Sequence, residues 1–183
     1  MNYTNKKGTK MKHFKLTNET IINESGIKLF RIELTIDCRW GKKGDKRGFV
    51  ETEENLSGNA MVFGNAQIFG NAMLYGNAMV FGNAMVSGNA KVFDNAKVSG
   101  NARLYGDARL YGDALVSGNA KVYGDALVYG DALVSGDAKV FGNAKVFGNA
   151  QIFGDAMVFG DAMISGNARL YGDVMVFGNE VIE

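Results

Sequence analysis

The sequence predicts an all-β protein, a parallel β-helix shaped as a triangular prism. Three observations support this prediction: a six-residue repeat, the spacing of its apolar residues, and its Gly-Asn or Gly-Asp pair. A six-residue unit, Gly-[Asn/Asp]-Ala-x-[Val/Leu/Ile]-x, recurs twenty times between Gly58 and Phe177 without an insertion, with Asp94 in place of Gly in one unit and Val174 in place of Ala in the last. Ala and the aliphatic residue stand two positions apart, which places both on one face of an extended strand. Gly followed by Asn or Asp tolerates positive φ and favours a turn. Each unit is therefore expected to form one short strand and one corner, with Ala and the aliphatic residue inside.

The last residue of each unit indicates how many units make one coil. Most of these positions are aromatic, but Ser99, Ser117 and Ser135 follow one another at intervals of 18 residues. Three units per coil would align these serines on one face, so we expect 18 residues per coil. The three faces then carry Phe63, Phe81, Ser99, Ser117, Ser135, Phe153 and Tyr171; Phe69, Ser87, Tyr105, Tyr123, Phe141, Phe159 and Phe177; and Tyr75, Phe93, Tyr111, Tyr129, Phe147 and Ser165.

The residues before the repeats predict two further parts. Residues 1–12 have the composition of a disordered leader, and residues 13–57 are expected to form a small N-terminal β cap with strands at residues 13–16 and 27–37. A cap is needed because the first coil would otherwise expose its core and a row of unpaired backbone groups. The β-helix is expected to occupy residues 58–183.

The repeat units resemble those of a known family. Residues 62–67 (VFGNAQ) are typical of all twenty units, and they resemble the hexapeptide repeat of left-handed β-helix proteins. The resemblance implies a left-handed coil. Residues 44–50 (GDKRGFV) and 54–57 (ENLS) resemble the N-terminal module of uncharacterised bacterial and phage hexapeptide-repeat proteins, which are named as transferases from their fold.

The same resemblance bears on enzymatic activity. Hexapeptide-repeat enzymes are mostly acyltransferases, which use a histidine as general base beside a loop extruded from a coil. His13 is the only histidine here, it precedes the repeats, and the repeats extrude no loop. We expect a non-enzymatic structural or protein-interaction module with no catalytic residue, no metal site and no cofactor. Two alternatives stay open: a degenerate acyltransferase-like enzyme, and a phage or mobile-element inhibitor that docks on a host defence protein.

Two surfaces are candidates for binding another protein. We expect the C-terminal coil to be open and to pair with a second copy through Val174, Val176, Phe177 and Val181, with Glu180 in place of an inward Ala as a charged stopper. The outward aromatic faces are the other candidate, because a soluble monomer rarely displays contiguous apolar stripes. Their residues are Phe69, Tyr105, Tyr123, Phe141, Phe159 and Phe177, and Tyr75, Phe93, Tyr111, Tyr129 and Phe147. We expect a dimer or trimer, and a protein target is possible.

Charge and composition bound the other functions. Residues 1–57 carry twelve Lys and Arg against eight Asp and Glu, and the repeats carry eight against eleven. The most basic stretch is a predicted solvated loop with Lys42, Lys43, Lys46 and Arg47, and this charge is too small to indicate a nucleic-acid-binding protein. A single cysteine and the lack of a signal-like or membrane-spanning segment predict a cytoplasmic protein without membrane contact.

The 18-residue period also aligns aspartates at the corners. These columns are Asp137, Asp155 and Asp173; Asp113 and Asp131; and Asp107 and Asp125. Like charges one coil apart repel, and a bound cation would relieve the repulsion. Asn and Asp both suit tight corners, however, so we interpret these residues as turn formers. The sequence leaves cation binding open.

Overall fold

The computed structural model describes residues 12–183, so nearly all of the predicted leader lies outside the described residues. The cap is a three-stranded antiparallel sheet in which β1 (Phe14–Ile22) and β2 (Lys28–Leu34) form a hairpin and β3 (Lys46–Val50) pairs with β2. A 3-10 turn at Glu53–Asn55 leads to the repeats. The predicted strands at residues 13–16 and 27–37 overlap β1 and β2.

Strand β3 was not predicted, and it corrects the expectation of a solvated basic loop. Lys46 and Arg47 lie in this strand, whereas Lys42 and Lys43 lie in the loop before it. Glycine and basic residues favour a turn at residues 41–48, which concealed the strand in the sequence. Gly48 has a packing role here, because a Cβ at this position would lie 2.4 Å from Cγ1 of Val62 in the first coil.

Each repeat contributes one two-residue strand whose first residue faces outward, with few exceptions, and whose second residue lies in the core. The strands are β4 (Met61–Val62), β5 (Gln67–Ile68), β6 (Met73–Leu74), β7 (Met79–Val80), β8 (Met85–Val86), β9 (Lys91–Val92), β10 (Lys97–Val98), β11 (Arg103–Leu104), β12 (Arg109–Leu110), β13 (Leu115–Val116), β14 (Lys121–Val122), β15 (Leu127–Val128), β16 (Leu133–Val134), β17 (Lys139–Val140), β18 (Lys145–Val146), β19 (Gln151–Ile152), β20 (Met157–Val158), β21 (Met163–Ile164), β22 (Arg169–Leu170), β23 (Met175–Val176) and β24 (Val181–Ile182).

These strands stack into three sheets. Sheet 1 has ten strands in the order β1-β2-β3-β5-β8-β11-β14-β17-β20-β23, and it joins the cap to the repeats. Sheet 2 contains the seven strands from β4 to β22, and sheet 3 the seven from β6 to β24. Neighbouring repeat strands are parallel and pair residues 18 positions apart, as Val98 pairs with Val116. The predicted parallel β-helix with 18 residues per coil is thus confirmed, with about seven coils.

The 18-residue register begins within the cap. Phe49 and Val50 of β3 pair in parallel with Gln67 and Ile68, and Leu56 forms a parallel bridge with Leu74. Strand β3 is therefore antiparallel to β2 on one side and the first parallel rung of sheet 1 on the other. Strand β3 thus joins the cap to sheet 1 by backbone hydrogen bonds. The cap covers the strand edge of the first coil there, as the sequence predicts.

The core consists of the Ala and aliphatic positions. Both are fully buried in every unit from Ala60 to Ile164. Burial of each aliphatic side chain contributes about 1.5–3 kcal/mol before conformational entropy is counted. In the last coil two residues replace the inward Ala, and both Val174 and Glu180 are exposed. The prediction that the Ala and aliphatic positions point inward is therefore confirmed for every coil before the last. In the last coil, the residues that replace Ala are exposed to solvent.

The corners explain why the units are so uniform. Gly136 has φ of +71°, and a Cβ on it would lie 2.8 Å from the backbone nitrogen of Gly154 in the next coil. Both the left-handed backbone and the close approach of successive coils favour glycine. Among the described residues the single non-glycine with positive φ is Asp94, at +59°, which occupies a corner position that Gly fills in the other units.

Candidate functional site

The outward aromatic residues form ordered columns of stacked rings. On sheet 3 the column runs without a break from Tyr75 to Phe147, and on sheet 1 from Tyr105 to Phe177. Consecutive centroids in the middle of these columns lie 4.8–4.9 Å apart with planes within 9° of each other. The stack loosens in the last coil, where the Phe159 and Phe177 centroids are 5.5 Å apart with planes at 15°. The rings predicted as interaction faces therefore contact each other within each face, except Phe69, which Ser87 separates from Tyr105.

Stacking leaves most of these rings half-buried. Of the outward aromatic positions, only Phe81, Tyr171 and Phe177 are exposed. Burial by the neighbouring rings raises the pKa of the Tyr105 phenol, and the adjacent Tyr123 raises it further while Arg103 lowers it. Burial likewise raises the pKa of Tyr111. Self-stacking thus covers much of the apolar surface that the sequence presents on these two faces.

The corner side chains form hydrogen-bonded ladders. The amide Nδ2 of Asn83 donates to Oδ1 of Asn101 at 3.1 Å, and Asn101 donates to Asn119 at 3.0 Å. Asn119 then donates to Oδ1 of Asp137 at 3.0 Å. Each donation runs toward the following coil. Because an ionised carboxylate has no proton to donate, this ladder ends at its first aspartate.

One of the predicted acidic columns begins where this ladder ends. Asp137, Asp155 and Asp173 follow one another at one corner, and each is exposed. Among residues 12–183 no three His, Cys, Asp or Glu side chains come together in a group that could hold a metal ion. Within this column, like-charged carboxylates stand one coil apart along one exposed edge of the prism.

The last coil holds most of the exposed apolar side chains. Eight large apolar residues are exposed in the described part of the chain, and five of them lie here. Their exposed fractions are 54% for Tyr171, 41% for Val174, 52% for Met175, 52% for Phe177 and 55% for Val181. Of the residues predicted for a C-terminal association surface, Val174, Phe177 and Val181 are exposed, whereas Val176 is buried at 1%.

The basic residues of the cap are largely neutralised by neighbouring carboxylates. Lys42 Nζ lies 3.0 Å from Asp37 Oδ2, and Lys46 Nζ lies 2.6 Å from Glu19 Oε2. The Lys43 backbone N–H and the Lys42 ammonium both hydrogen-bond Asp37 and lower its pKa. The pair of Lys46 with Glu19 could not be predicted from local sequence, because 27 residues separate the two.

His13 packs within the cap. Its ring meets that of Phe14 edge to face at 5.4 Å, and its Nε2 is buried without a hydrogen-bond partner among the described residues. Burial lowers the pKa of His13 below its ordinary value, with the backbone of Ala60 opposing that shift. A half-buried imidazole that contacts the first coil has a packing role in this position.

One cleft lies where the cap hairpin bends over sheet 1. The turn between β1 and β2 faces Ser87, and the cleft between them has a volume of about 280 Å³. Phe69, Tyr105 and Arg103 are among its walls. Two further clefts lie near the corner at Asn71. His13 lines none of these three.

Comparisons with known proteins support the repeat architecture. A family model described as the YdcK β-solenoid repeat matches residues 74–88, 108–124, 120–136 and 150–166, which together make up less than half of the chain. The search of curated proteins gave no match. No helix in residues 12–183 is long and apolar enough to cross a membrane. The chain is a β-helix repeat protein, in agreement with the stacked parallel coils.

Proposed function

We propose that this protein is a non-enzymatic structural module that self-associates through its last coil, with two copies meeting end to end. The observation that carries the proposal is the cluster of Tyr171, Val174, Met175, Phe177 and Val181, which exposes apolar surface at one end of an otherwise covered core. Exposed apolar surface concentrated at one end of a prism in this way is typical of an interaction site.

The backbone supports the same surface. In the preceding coils an outward residue donates its N–H to a carbonyl 17 positions later, as Met157 donates to Val174 at 2.9 Å and Phe159 to Val176 at 3.0 Å. Within residues 12–183 no such carbonyl follows Met175 or Phe177. An unpaired strand edge is a template for pairing with another strand.

A second copy of this chain is the occupant that fits best. Two copies related by a twofold axis place the same edge strands against each other in antiparallel pairing, and such an arrangement closes after two subunits. The end also carries both signs of charge, because Arg169 lies on the same coil as Asp173 and Glu180, and all three are exposed. A twofold arrangement lets a cation of one copy meet a carboxylate of the other.

The proposal also includes the protein's family, its lack of enzymatic activity and its compartment. The uniform units support assignment to the left-handed hexapeptide-repeat proteins, and the packing of His13 away from the described clefts supports a non-enzymatic role. We place the protein in the cytoplasm, because its one cysteine, Cys38, is free.

Sedimentation velocity of the full chain at micromolar concentrations tests the proposal. We expect a dimer for the natural sequence and a monomer for Met175→Lys and Val181→Lys, because a buried ammonium in the interface is costly. Phe81→Lys is the matched control, since Phe81 is an exposed apolar residue on the side of the prism and its replacement leaves the dimer intact. A monomer for the natural sequence, or equal dissociation by Phe81→Lys, would contradict end-to-end association.

A further inference from the structure

We propose that the gap at Ser87 binds a small molecule that has one planar aromatic ring and an anionic substituent. This site is on the side of the prism under the cap hairpin, so it is separate from the association surface of the last coil. The two proposals therefore succeed or fail independently.

The gap has the dimensions of one missing ring. Ser87 is the only interruption in the outward column of sheet 1, where it lies between Phe69 and Tyr105. These two aromatic residues are two coils apart, roughly 9.6 Å at two strand spacings. The continuous part of the column stacks rings at 4.8–4.9 Å with planes within 5°. One planar ring inserted above Ser87 would stand at the column's own spacing from both neighbours.

The cap hairpin makes this gap a cleft. Asn23, Glu24 and Ser25 line it opposite Ser87. Their turn has a fixed shape, because Oδ1 of Asn23 accepts hydrogen bonds from the backbone N–H groups of Ser25 and Ile27, both at 2.9 Å. The cleft volume of about 280 Å³ is close to the lower end of small-ligand pockets. A ring here would lose water from both faces, which strengthens stacking.

The other serine positions lack this arrangement. Ser99, Ser117 and Ser135 follow one another on sheet 2, so a ring at any of them has an aromatic neighbour on at most one side. The lining of the Ser87 cleft includes the hairpin turn, which lies over sheet 1. Two ring neighbours and a covering turn therefore coincide at Ser87.

Charge selects an anionic substituent. Arg103 and Lys121 both line the cleft, and they are paired in adjacent strands. Glu24 is the one carboxylate in the lining, and its Oε2 lies 3.6 Å from an Arg103 guanidinium nitrogen. The Glu24 side chain is 81% exposed, and an ion pair of that kind contributes little. An anionic group on the ligand would thus lie near two cations, Arg103 and Lys121, and near only one carboxylate, that of Glu24.

Titration of the full chain with phenyl phosphate tests the site, with the Met85 methyl resonance as the readout because Met85 lines the cleft. We expect saturable binding with a dissociation constant in the millimolar range and an upfield shift from the ring current. Phenol and inorganic phosphate each carry half of the ligand and should bind at least about tenfold more weakly. Inorganic phosphate binding as tightly as phenyl phosphate, or no saturation with phenyl phosphate, would overturn the proposal.

Three variants locate the binding. Ser87→Phe supplies the missing ring from the chain itself and should abolish the titration, whereas Ser99→Phe, the matched control on sheet 2, should leave it unchanged. Glu24→Gln removes the competing carboxylate and should tighten binding about twofold to threefold, a gain that a misfolded variant cannot produce. Binding that survives Ser87→Phe, or affinity that falls in Glu24→Gln, would contradict the assignment.

Discussion

The carboxylate Oδ2 of Asp94 accepts a hydrogen bond from the backbone N–H of Gly112, one coil further along, at 3.4 Å. Asp94 is held at φ +59° in a corner position where its neighbours in the column, Gly76 and Gly112, have no side chain. A left-handed backbone is unfavourable for a residue with a Cβ, and the long hydrogen bond only partly offsets that cost.

Replacement of Asp94 separates these two contributions. Asp94→Gly should raise the melting temperature by roughly 2–4 °C, because relief of the left-handed strain is worth on the order of 1 kcal/mol. Asp94→Ala keeps the strain and loses the hydrogen bond, so its melting temperature should fall. Circular dichroism during heating measures both. A lower melting temperature for Asp94→Gly would show that the hydrogen bond outweighs the strain.

Close packing of successive corners predicts a strong position dependence for Gly→Ala substitutions. In Gly136→Ala the new Cβ would lie 2.8 Å from the backbone nitrogen of Gly154. In Gly172→Ala no atom would lie within 4 Å of the new Cβ. Both residues have nearly the same positive φ. Gly172→Ala should therefore cost about 1 kcal/mol from backbone strain alone, and Gly136→Ala at least twice as much. Equal losses in chemical denaturation would mean that the coils move apart at no cost.

The acidic column predicts opposite effects for two isosteric exchanges. Asp155→Asn removes a like charge between Asp137 and Asp173 and supplies an amide that can donate to Asp173. It should raise the melting temperature by on the order of 1–2 °C. Asn119→Asp removes the 3.0 Å donation to Asp137 and adds a fourth carboxylate, so it should lower that temperature.

Salt provides the internal control for these two exchanges. The difference between Asp155→Asn and Asn119→Asp should shrink as sodium chloride screens the like charges. If the difference in melting temperature between the two variants stays constant from low to high salt, the hydrogen bonds alone cause it.

His13 predicts a pH dependence of stability near neutrality. Burial lowers its pKa in the folded protein below the unfolded value of about 6.5, so the unfolded chain binds more protons. The contribution of neutral His13 to the free energy of unfolding is complete above about pH 6.5. It declines as the pH falls from about 6.5 toward the pKa of His13 in the folded protein. His13 is the only histidine, and the carboxylates Glu19, Asp37 and Asp45 have lowered pKa values, which keeps their titration away from this range.

Fluorescence of Trp40 measures this dependence, because it is the only tryptophan and its indole Nε1 donates to the Asn59 carbonyl of the first coil at 3.1 Å. The unfolding midpoint should fall between pH 7.5 and 5.5 in the natural sequence. His13→Gln should show little change over the same interval. Parallel slopes in the two proteins would assign the dependence to other groups.

The repeat could be derived from the sequence because each coil obeys the same local rule. The spacing of Ser99, Ser117 and Ser135 determines the coil length, and the Ala and aliphatic positions identify the core. What could not be derived depends on contacts between distant segments. Strand β3 forms because Phe49 and Val50 meet Gln67 and Ile68, and a local reading of residues 41–48 favours a turn.

The candidate surfaces show the same division. The sequence aligned the aromatic residues into columns, but it did not show that the hairpin turn at Asn23 reaches sheet 1 and turns the Ser87 gap into a cleft. It identified Val176 as part of the C-terminal association surface, whereas the structure buries that side chain and exposes Met175 beside it. Alternation of inward and outward positions accounts for Val176 and Met175, whereas Val174 and Glu180 stand at inward positions and are exposed.

Amide hydrogen exchange in the last coil, measured as the protein concentration is raised, tests the end-to-end association most directly. Met175 and Phe177 are outward residues whose N–H groups find no following carbonyl in residues 12–183, and Leu115 in the middle of the prism is the reference. End-to-end association predicts that exchange at Met175 and Phe177 slows as the protein concentration rises, while exchange at Leu115 does not change. Exchange at Met175 and Phe177 that stays equally fast at every concentration would contradict it.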